Sequence, residues 1–157
     1  MIGKKIHKGK NKIAGEWGHN PLPWANEGEL PGKKCYCGRT GCLETFISGP
    51  AIEREFKNLH GRNWKMKNIV KESGAGNLKA EQVIKNLEDR LARALAHVIN
   101  ILDPDSIVLG GGLSNIDRLY SNVPKIWAEY IFSDDVSTVL SKARFGDSSG
   151  VRGAAWL

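Results

Sequence analysis

Three cysteines and one histidine are the residues of this 157-residue sequence whose types and spacing suit metal chemistry. Cys35, Cys37 and Cys42 fall within eight residues of one another, and His19 precedes them. Three thiolates and an imidazole form a closed tetrahedral set for zinc, with no open position for an activated water. The pattern therefore predicts a structural Zn²⁺ site on His19, Cys35, Cys37 and Cys42.

The cysteine count favours a metal over disulfides. An odd number of crowded cysteines fits a disulfide framework poorly, and a reducing compartment keeps such residues as thiols. His19 is the first choice for the fourth ligand, while His7 and His60 are also available. Three incidental buried cysteines without a metal are the alternative interpretation.

Two carboxylates bracket this cluster. Glu16 lies three residues before His19, and Glu44 lies two residues after Cys42. A metal-tied loop would hold both in fixed positions, where they could accept hydrogen bonds from neighbouring sugar hydroxyls. On chemistry alone, a surface carboxylate or a carboxylate that supports a metal ligand is the stronger interpretation of each.

Composition and charge indicate one globular domain over residues 1–157. The chain is 41% hydrophobic and 25% charged, with a net charge of +6. Its lysines cluster only near the N-terminus and no aromatic residues interleave with them, so we expect no nucleic-acid partner. No stretch approaches the roughly 20 apolar residues that span a bilayer, and no apolar signal region follows the first charges. We expect a cytoplasmic protein without membrane contact.

The order of predicted elements is typical of an α/β fold. The first 47 residues, rich in Gly, Pro, Trp and Asn, are expected to form strand ends and ordered loops. Helices are predicted at residues 51–60, 67–72, 80–102, 119–131 and 150–157, and strands at residues 106–109 and 138–141.

Local signals sharpen this interpretation. Ser48 should cap the helix at 51–60 and Gly61 should end it. Residues 73–77 are predicted to be a flexible connection. The apolar run 106–109 is typical of a buried parallel strand, which the glycines at 110–112 interrupt.

Gly15-Glu16-Trp17-Gly18-His19, followed by Cys-x-Cys-Gly-x-x-Gly-Cys-Leu-Glu, resembles the signature of the ROK family of bacterial sugar kinases and repressors. The longer runs 14–24, 42–49, 96–120 and 146–157 resemble its fructokinase, or manno(fructo)kinase, branch. The resemblance covers nearly the whole chain. It implies the C-terminal lobe of an actin-like (ribonuclease H-like) two-lobed fold that phosphorylates a sugar hydroxyl, usually at carbon 6, with magnesium ATP.

The same resemblance implies roles for particular residues. His19 and the three cysteines would hold zinc, while Glu16, His19 and Glu44 would contact the hexose. His19 would then use one ring nitrogen for the metal and the other for the sugar. The turn of Gly110, Gly111 and Gly112 would lie beside the nucleotide, although three glycines alone could equally form a packing turn.

The sequence also departs from the family pattern. ROK kinases carry an Asp-x-Gly-Gly-Thr phosphate loop and an Asn-Asp pair whose aspartate is the base, and neither motif occurs in these 157 residues. Without them a kinase has no proton acceptor for the attacking hydroxyl and no cradle for the phosphates. We therefore expect no catalytic residue on this chain. We interpret it as the C-terminal part of the enzyme and expect it to be inactive alone.

Three functional hypotheses follow. The first is ATP-dependent phosphorylation of a hexose at its 6-hydroxyl, with fructose and mannose as leading substrates and glucose and N-acetylglucosamine behind them. The second is the sugar-binding effector domain of a ROK-type transcriptional repressor. The third is an inactive remnant that only binds zinc. Because ROK kinases commonly dimerise, the intact enzyme is expected to be a homodimer.

Overall fold

A computed structural model describes residues 1–3, 5–148, 150, 152 and 155, and it has a mixed α/β architecture organised around one long helix. The helices are α1 (Glu44–Ile47), α2 (Gly49–His60), α3 (Met66–Gly74), α4 (Leu78–Leu102) and α5 (Arg118–Trp127), and the strands are β1 (Ser106–Leu109) and β2 (Val139–Lys142). Short 3-10 turns connect several of these elements.

Helix α4 forms the centre of the core because its apolar residues recur every three or four positions. Its buried face is formed chiefly by aliphatic side chains, among them Val83, Ile84, Leu87, Leu91 and Leu95. Helices α2, α3 and α5 pack against it. The predicted helix at 80–102 is thus confirmed and begins two residues earlier.

The start of α4 corrects the prediction of a flexible connection at 73–77. The Asn77 side chain accepts hydrogen bonds from the amides of Lys79 and Ala80, at 3.1 and 3.2 Å, and so caps the helix. Ser73 is buried at the end of α3 and bonds Glu81. The segment is therefore a tight, ordered junction between two helices.

Helix α2 follows its sequence signals closely. The Ser48 hydroxyl accepts a 3.3 Å hydrogen bond from the Ala51 amide, and Gly61 ends the helix in the left-handed conformation, with φ of 70°. The weaker helix predicted at 67–72 is present as the longer α3. At the other end of the core, α5 stops at Trp127, and a 3-10 turn, Ala128–Tyr130, continues the predicted helical segment.

Strands β1 and β2 pair in parallel, from Ser106 opposite Val139 to Leu109 opposite Lys142. Both predicted strands are confirmed, but the prediction that 106–109 is buried is wrong, because Val108 is 58% exposed. Ile107 and Leu109 pack against the core, whereas the alternate side chains point away from it. A run of apolar residues therefore predicts the strand correctly, but it does not show that both faces of the strand are buried.

The N-terminal loops are fastened to α4 by buried ion pairs. Arg93, whose side chain is 3% exposed, bonds Glu29 at 2.8 Å and the carbonyls of Pro23 and Trp24 at 3.2 and 2.8 Å. Arg90 bonds the same Glu29 carboxylate at 2.7 Å. Burial alone raises the pKa of Glu29, but the hydrogen bonds from Arg93 and Arg90 outweigh it and hold that pKa at about 2.

A small apolar cluster lies next to these ion pairs. Leu22, Leu43, Phe46 and Ala94 form it, and Trp17 packs against both this cluster and the main core. The cluster joins the loop that carries Trp17 to α1 and α4. Loops without regular structure thereby gain defined positions.

The helix predicted at 150–157 lies outside the described residues apart from 150, 152 and 155. Of the helices in the described part of the chain, none combines the length and apolarity that a bilayer crossing requires.

Candidate metal and sugar site

The structure brings His19, Cys35, Cys37 and Cys42 together, with all four ligand atoms within 4.8 Å of one another. His19 Nδ1 lies 3.6 Å from Cys35 Sγ, and the sulfurs of Cys37 and Cys42 are also 3.6 Å apart. A tetrahedral site with Zn–S bonds of about 2.3 Å and a Zn–N bond of about 2.0 Å requires ligand separations of about 3.5–3.8 Å. The cluster could therefore hold a metal ion, and these two separations match those of a tetrahedral zinc site.

Local turns build this cluster from two loops. A 3-10 turn, Glu16–His19, presents the histidine. In the cysteine loop, the Cys35 amide donates to the Arg39 carbonyl at 2.7 Å and the Gly38 amide donates to the Cys35 carbonyl at 3.1 Å. Gly38 has a φ of 89°, a conformation that residues with a side chain rarely adopt.

A close backbone approach closes the base of the cysteine loop. A Cβ atom on Gly32 would lie 2.5 Å from Gly41 Cα, so the two segments can approach this closely only while residue 32 is glycine. The Gly41 amide donates to the Lys33 carbonyl at 3.0 Å at the same place. This contact holds Cys35 and Cys37 beside Cys42.

The three cysteines differ in their surroundings. Cys37 is exposed, and a hydrogen bond from the Arg39 backbone lowers the pKa of its thiol to about 7. Cys42 is 1% exposed, and burial raises the pKa of its thiol to about 12. A bound dication favours the thiolate of each ligand, so metal binding and deprotonation of Cys42 should occur together.

His19 is the histidine that converges with the cysteines in the part of the chain that the structure describes. The alternative His60 packs instead against the Phe56 ring, with centroids 5.0 Å apart.

The three residues predicted to contact a hexose also lie together. His19 Nε2 is 3.8 Å from Glu16 Oε2 and 3.9 Å from Glu44 Oε2. Glu44 is the first residue of α1, and its other oxygen lies 3.5 Å from Cys35 Sγ. Both carboxylates are partly open to solvent, so the arrangement presents two acceptors and one imidazole nitrogen to a ligand.

Tyr36 is a fourth member of this group that the sequence did not indicate. Its hydroxyl lies 2.9 Å from His19 Nε2, and its ring meets the imidazole edge-on. Its position between two metal-type cysteines is the signal that could have pointed to it.

The predicted nucleotide turn lies at the carboxyl end of β1. Gly111 has a φ of 77°, and the Ser114 hydroxyl donates to its carbonyl at 2.7 Å. A Cβ atom at Gly110, Gly111 or Gly112 would meet nothing within 4 Å, so close packing does not require these glycines in the described part of the chain. A Cβ atom on Gly49, the first residue of α2, would lie 3.9 Å from the Leu113 side chain, so this turn packs beside the start of that helix.

A cleft of about 540 Å³ lies elsewhere, between the 26–33 loop, α2 and α4. Among the charged residues that line it, Glu29 and Glu55 pair with Arg90, and Asp89 pairs with Arg93; Lys33 also lines the cleft. We therefore place the candidate site at the surface around His19, where the Glu16 and Glu44 carboxylates make contacts of 3.5 Å or longer and both remain available to a ligand.

The described chain has the features that its sequence resemblance implied: a parallel strand pair that ends in a glycine turn, a Cys/His cluster, and two carboxylates close to that cluster. The family comparison agrees, since the model of the ROK family matches residues 1–157. The chain belongs to the ROK family.

Known relatives extend this result. The chain is 37% identical over 157 residues to an N-acetyl-D-glucosamine kinase of Vibrio vulnificus (strain YJ016), covering 98% of this chain and 52% of the relative. It thus spans about half the length of the curated relatives that it matches.

Solved structures share the fold. A ROK hexokinase from Thermus thermophilus aligns with a TM-score of 0.80 at 28% identity, over 97% of this chain and 50% of that one. A ROK family glucokinase from Streptomyces griseus, solved with glucose and AMPPNP, aligns with a TM-score of 0.83 at 24% identity, over 99% of this chain and 54% of that one. The predicted α/β fold of ROK sugar kinases is confirmed.

Proposed function

We propose that this chain provides the hexose-binding part of an ATP-dependent sugar kinase that phosphorylates the 6-hydroxyl of its substrate. The observation that carries the proposal is the convergence of Glu16, His19 and Glu44 around one solvent-open point beside the Cys/His cluster. Carboxylates accept hydrogen bonds from hydroxyls, and neighbouring hydroxyls on a sugar ring match two acceptors held side by side.

The cluster has a structural role in this proposal. His19, Cys35, Cys37 and Cys42 would hold Zn²⁺, which when bound ties the His19 loop to the cysteine loop. Four protein ligands complete the coordination, so the ion offers no position to substrate. Because Nδ1 of His19 faces Cys35, Nε2 is left to face the sugar.

The nucleotide is proposed to bind at Gly110, Gly111 and Gly112. Ligands of α/β sheets commonly bind at the carboxyl ends of parallel strands, and the open glycine turn after β1 lies at such an end. Mg²⁺ would accompany the ATP. We assign no catalytic base to this chain, and we propose that the intact enzyme is a homodimer.

Fructose is our first candidate substrate and mannose the second, on the resemblance of four sequence segments to the fructokinase branch. The comparisons do not support the fructokinase type, because the relative with 37% identity is named an N-acetyl-D-glucosamine kinase. N-acetylglucosamine is therefore the competing candidate, with glucose behind it. Binding measured side by side for the four sugars decides between them.

The proposal is tested by titrating the zinc-loaded chain with these sugars and measuring dissociation constants by NMR. Replacing Glu16 or Glu44 by Gln should weaken binding by about tenfold or more, because each change removes a charged acceptor. Glu129→Gln, which alters an exposed carboxylate on the 3-10 turn after α5, is the matched control and should have no effect.

Unchanged affinity in both site variants would remove these carboxylates from the sugar site. For turnover, the chain completed by the remaining half of a ROK kinase should phosphorylate fructose. Sugar binding without turnover in that protein would favour the effector domain of a repressor.

A further inference from the structure

Tyr36 combines high exposure with one specific polar contact. Tyr36 lies between Cys35 and Cys37 in the sequence, and it is 83% exposed. Water could therefore satisfy the hydrogen bonds of its hydroxyl without any protein partner. The hydroxyl nevertheless lies 2.9 Å from His19 Nε2, and the ring centroids are 5.1 Å apart at an interplanar angle of 84°. The phenol therefore occupies the face of His19 that the two carboxylates flank.

That nitrogen can serve one partner at a time. Each imidazole nitrogen has a single in-plane position for a hydrogen bond. When Nδ1 coordinates a metal in the Cys/His cluster, Nε2 is left with the ring proton and can donate it to the Tyr36 oxygen 2.9 Å away. A hexose hydroxyl bound to His19 needs the same position, so the sugar and the phenol exclude each other there.

We propose that the Tyr36 hydroxyl occupies the place of a hexose hydroxyl on His19 in the absence of substrate and must be displaced before the sugar can bind there. This inference rests on the proposed function. The ligand group that fits is a hydroxyl, because it can accept from Nε2–H and at the same time donate to Glu16 or Glu44.

The experiment uses the zinc-loaded 157-residue chain with ¹⁵N-labelled histidine, titrated with fructose while long-range ¹H–¹⁵N spectra follow His19 Nε2. Tyr36→Phe removes only the hydroxyl, and Tyr130→Phe removes a hydroxyl remote from the cluster as the matched control. Without sugar, Tyr36→Phe should move the His19 Nε2 resonance. It should also lower the dissociation constant of fructose by about two- to tenfold, the range that one hydrogen bond allows. Tyr130→Phe should change neither value.

The outcomes separate the inference from the proposed function. The same titration is made with the other three candidate hexoses. If wild type binds any of the four and Tyr36→Phe binds that sugar with equal or lower affinity, the inference is overturned while the proposed function stands. An unmoved His19 resonance in Tyr36→Phe also overturns the inference. If no candidate hexose binds wild type or either variant, the proposed function fails and the inference fails with it. Unchanged zinc content in the variants confirms that the loop is intact.

Discussion

The loop region, residues 1–43, and the helical region, residues 44–127, are held together by different forces. The helical region buries a continuous apolar core along α4. The loop region buries few apolar side chains, and it is fixed by the small apolar cluster around Leu22, the Cys/His cluster and the Glu29 ion pairs. Apolar burial accumulates over many residues, whereas a cross-link places a few atoms accurately. Most of the candidate site lies in the loop region, where a few contacts set the positions of its side chains and the large apolar core contributes little.

If the Cys/His cluster holds zinc as proposed, removing the metal should produce the largest effect and should separate the two regions. Structural zinc contributes about 10–16 kcal/mol in small zinc peptides, so a strong chelator should release the loop region. Amide exchange of Cys35 and Gly41 should accelerate by orders of magnitude, while amides in α4 keep their protection. Equal loss of protection in both regions would show that the cluster supports the whole core.

Replacing Glu29 by Gln should weaken the connection between the regions. The change leaves Arg93 and Arg90 with fewer partners in a buried setting, and breaking a buried pair costs about 3–5 kcal/mol of unfolding free energy. Urea unfolding at pH 7 measures this loss. Glu27→Gln, on the same turn but exposed, should stay within about 0.5 kcal/mol of wild type.

The same residue predicts a pH dependence. The pKa of Glu29 is lowered from 4.5 to about 2 on folding, so its contribution is present above pH 4.5 and is lost as the pH falls toward 2. Wild type should therefore lose more stability than Glu29→Gln between pH 5 and pH 2. Identical slopes for the two proteins would contradict the ion-pair assignment.

Leu87→Ala should destabilise the helical region by about 2–5 kcal/mol, because Leu87 is fully buried in α4 and the change leaves a cavity. Leu78→Ala, at an 83% exposed position of the same helix, is the control and should change stability by less than about 0.5 kcal/mol. Chemical denaturation measures both. At denaturant concentrations below its unfolding transition, Leu87→Ala should bind zinc with the affinity of wild type. A large fall in its zinc affinity would mean that the apolar core sets the geometry of the Cys/His cluster.

Gly32→Ala should have the smallest effect on global stability, about 1–3 kcal/mol, and should act mainly on the loop region. Its Cβ would meet the Gly41 backbone, and its φ is 81°. Gly76→Ala separates these causes, since Gly76 has a similar φ of 87° with open space around it. Zinc affinity should fall in Gly32→Ala and not in Gly76→Ala.

The sequence predicted those features that depend on short-range patterns. Helix α4 was located within two residues because its apolar period persists over 25 residues. The convergence of His19, Cys35, Cys37 and Cys42 could be predicted because metal ligands follow known spacings. The burial of β1 was not predictable, since it depends on which elements cover each face of the sheet.

Contacts between distant segments account for what the sequence did not predict. Arg93 and Glu29 are separated by 64 positions, and no local pattern relates them. A charged residue between Ala92 and Ala94, on the buried side of α4, was the available signal. The Tyr36 contact to His19 likewise depends on how two loops meet.

The Gly32–Gly41 contact also has a consequence for how this sequence can diverge. Positions 32 and 41 constrain each other, because a side chain at residue 32 would require a shift of the backbone at residue 41. Between them, the side chain of Tyr36 is 83% exposed, so a substitution at that position need not disturb the Gly32–Gly41 contact. If Tyr36 competes with the hexose as proposed, substrate preference can change at this one position while the Cys/His cluster is retained.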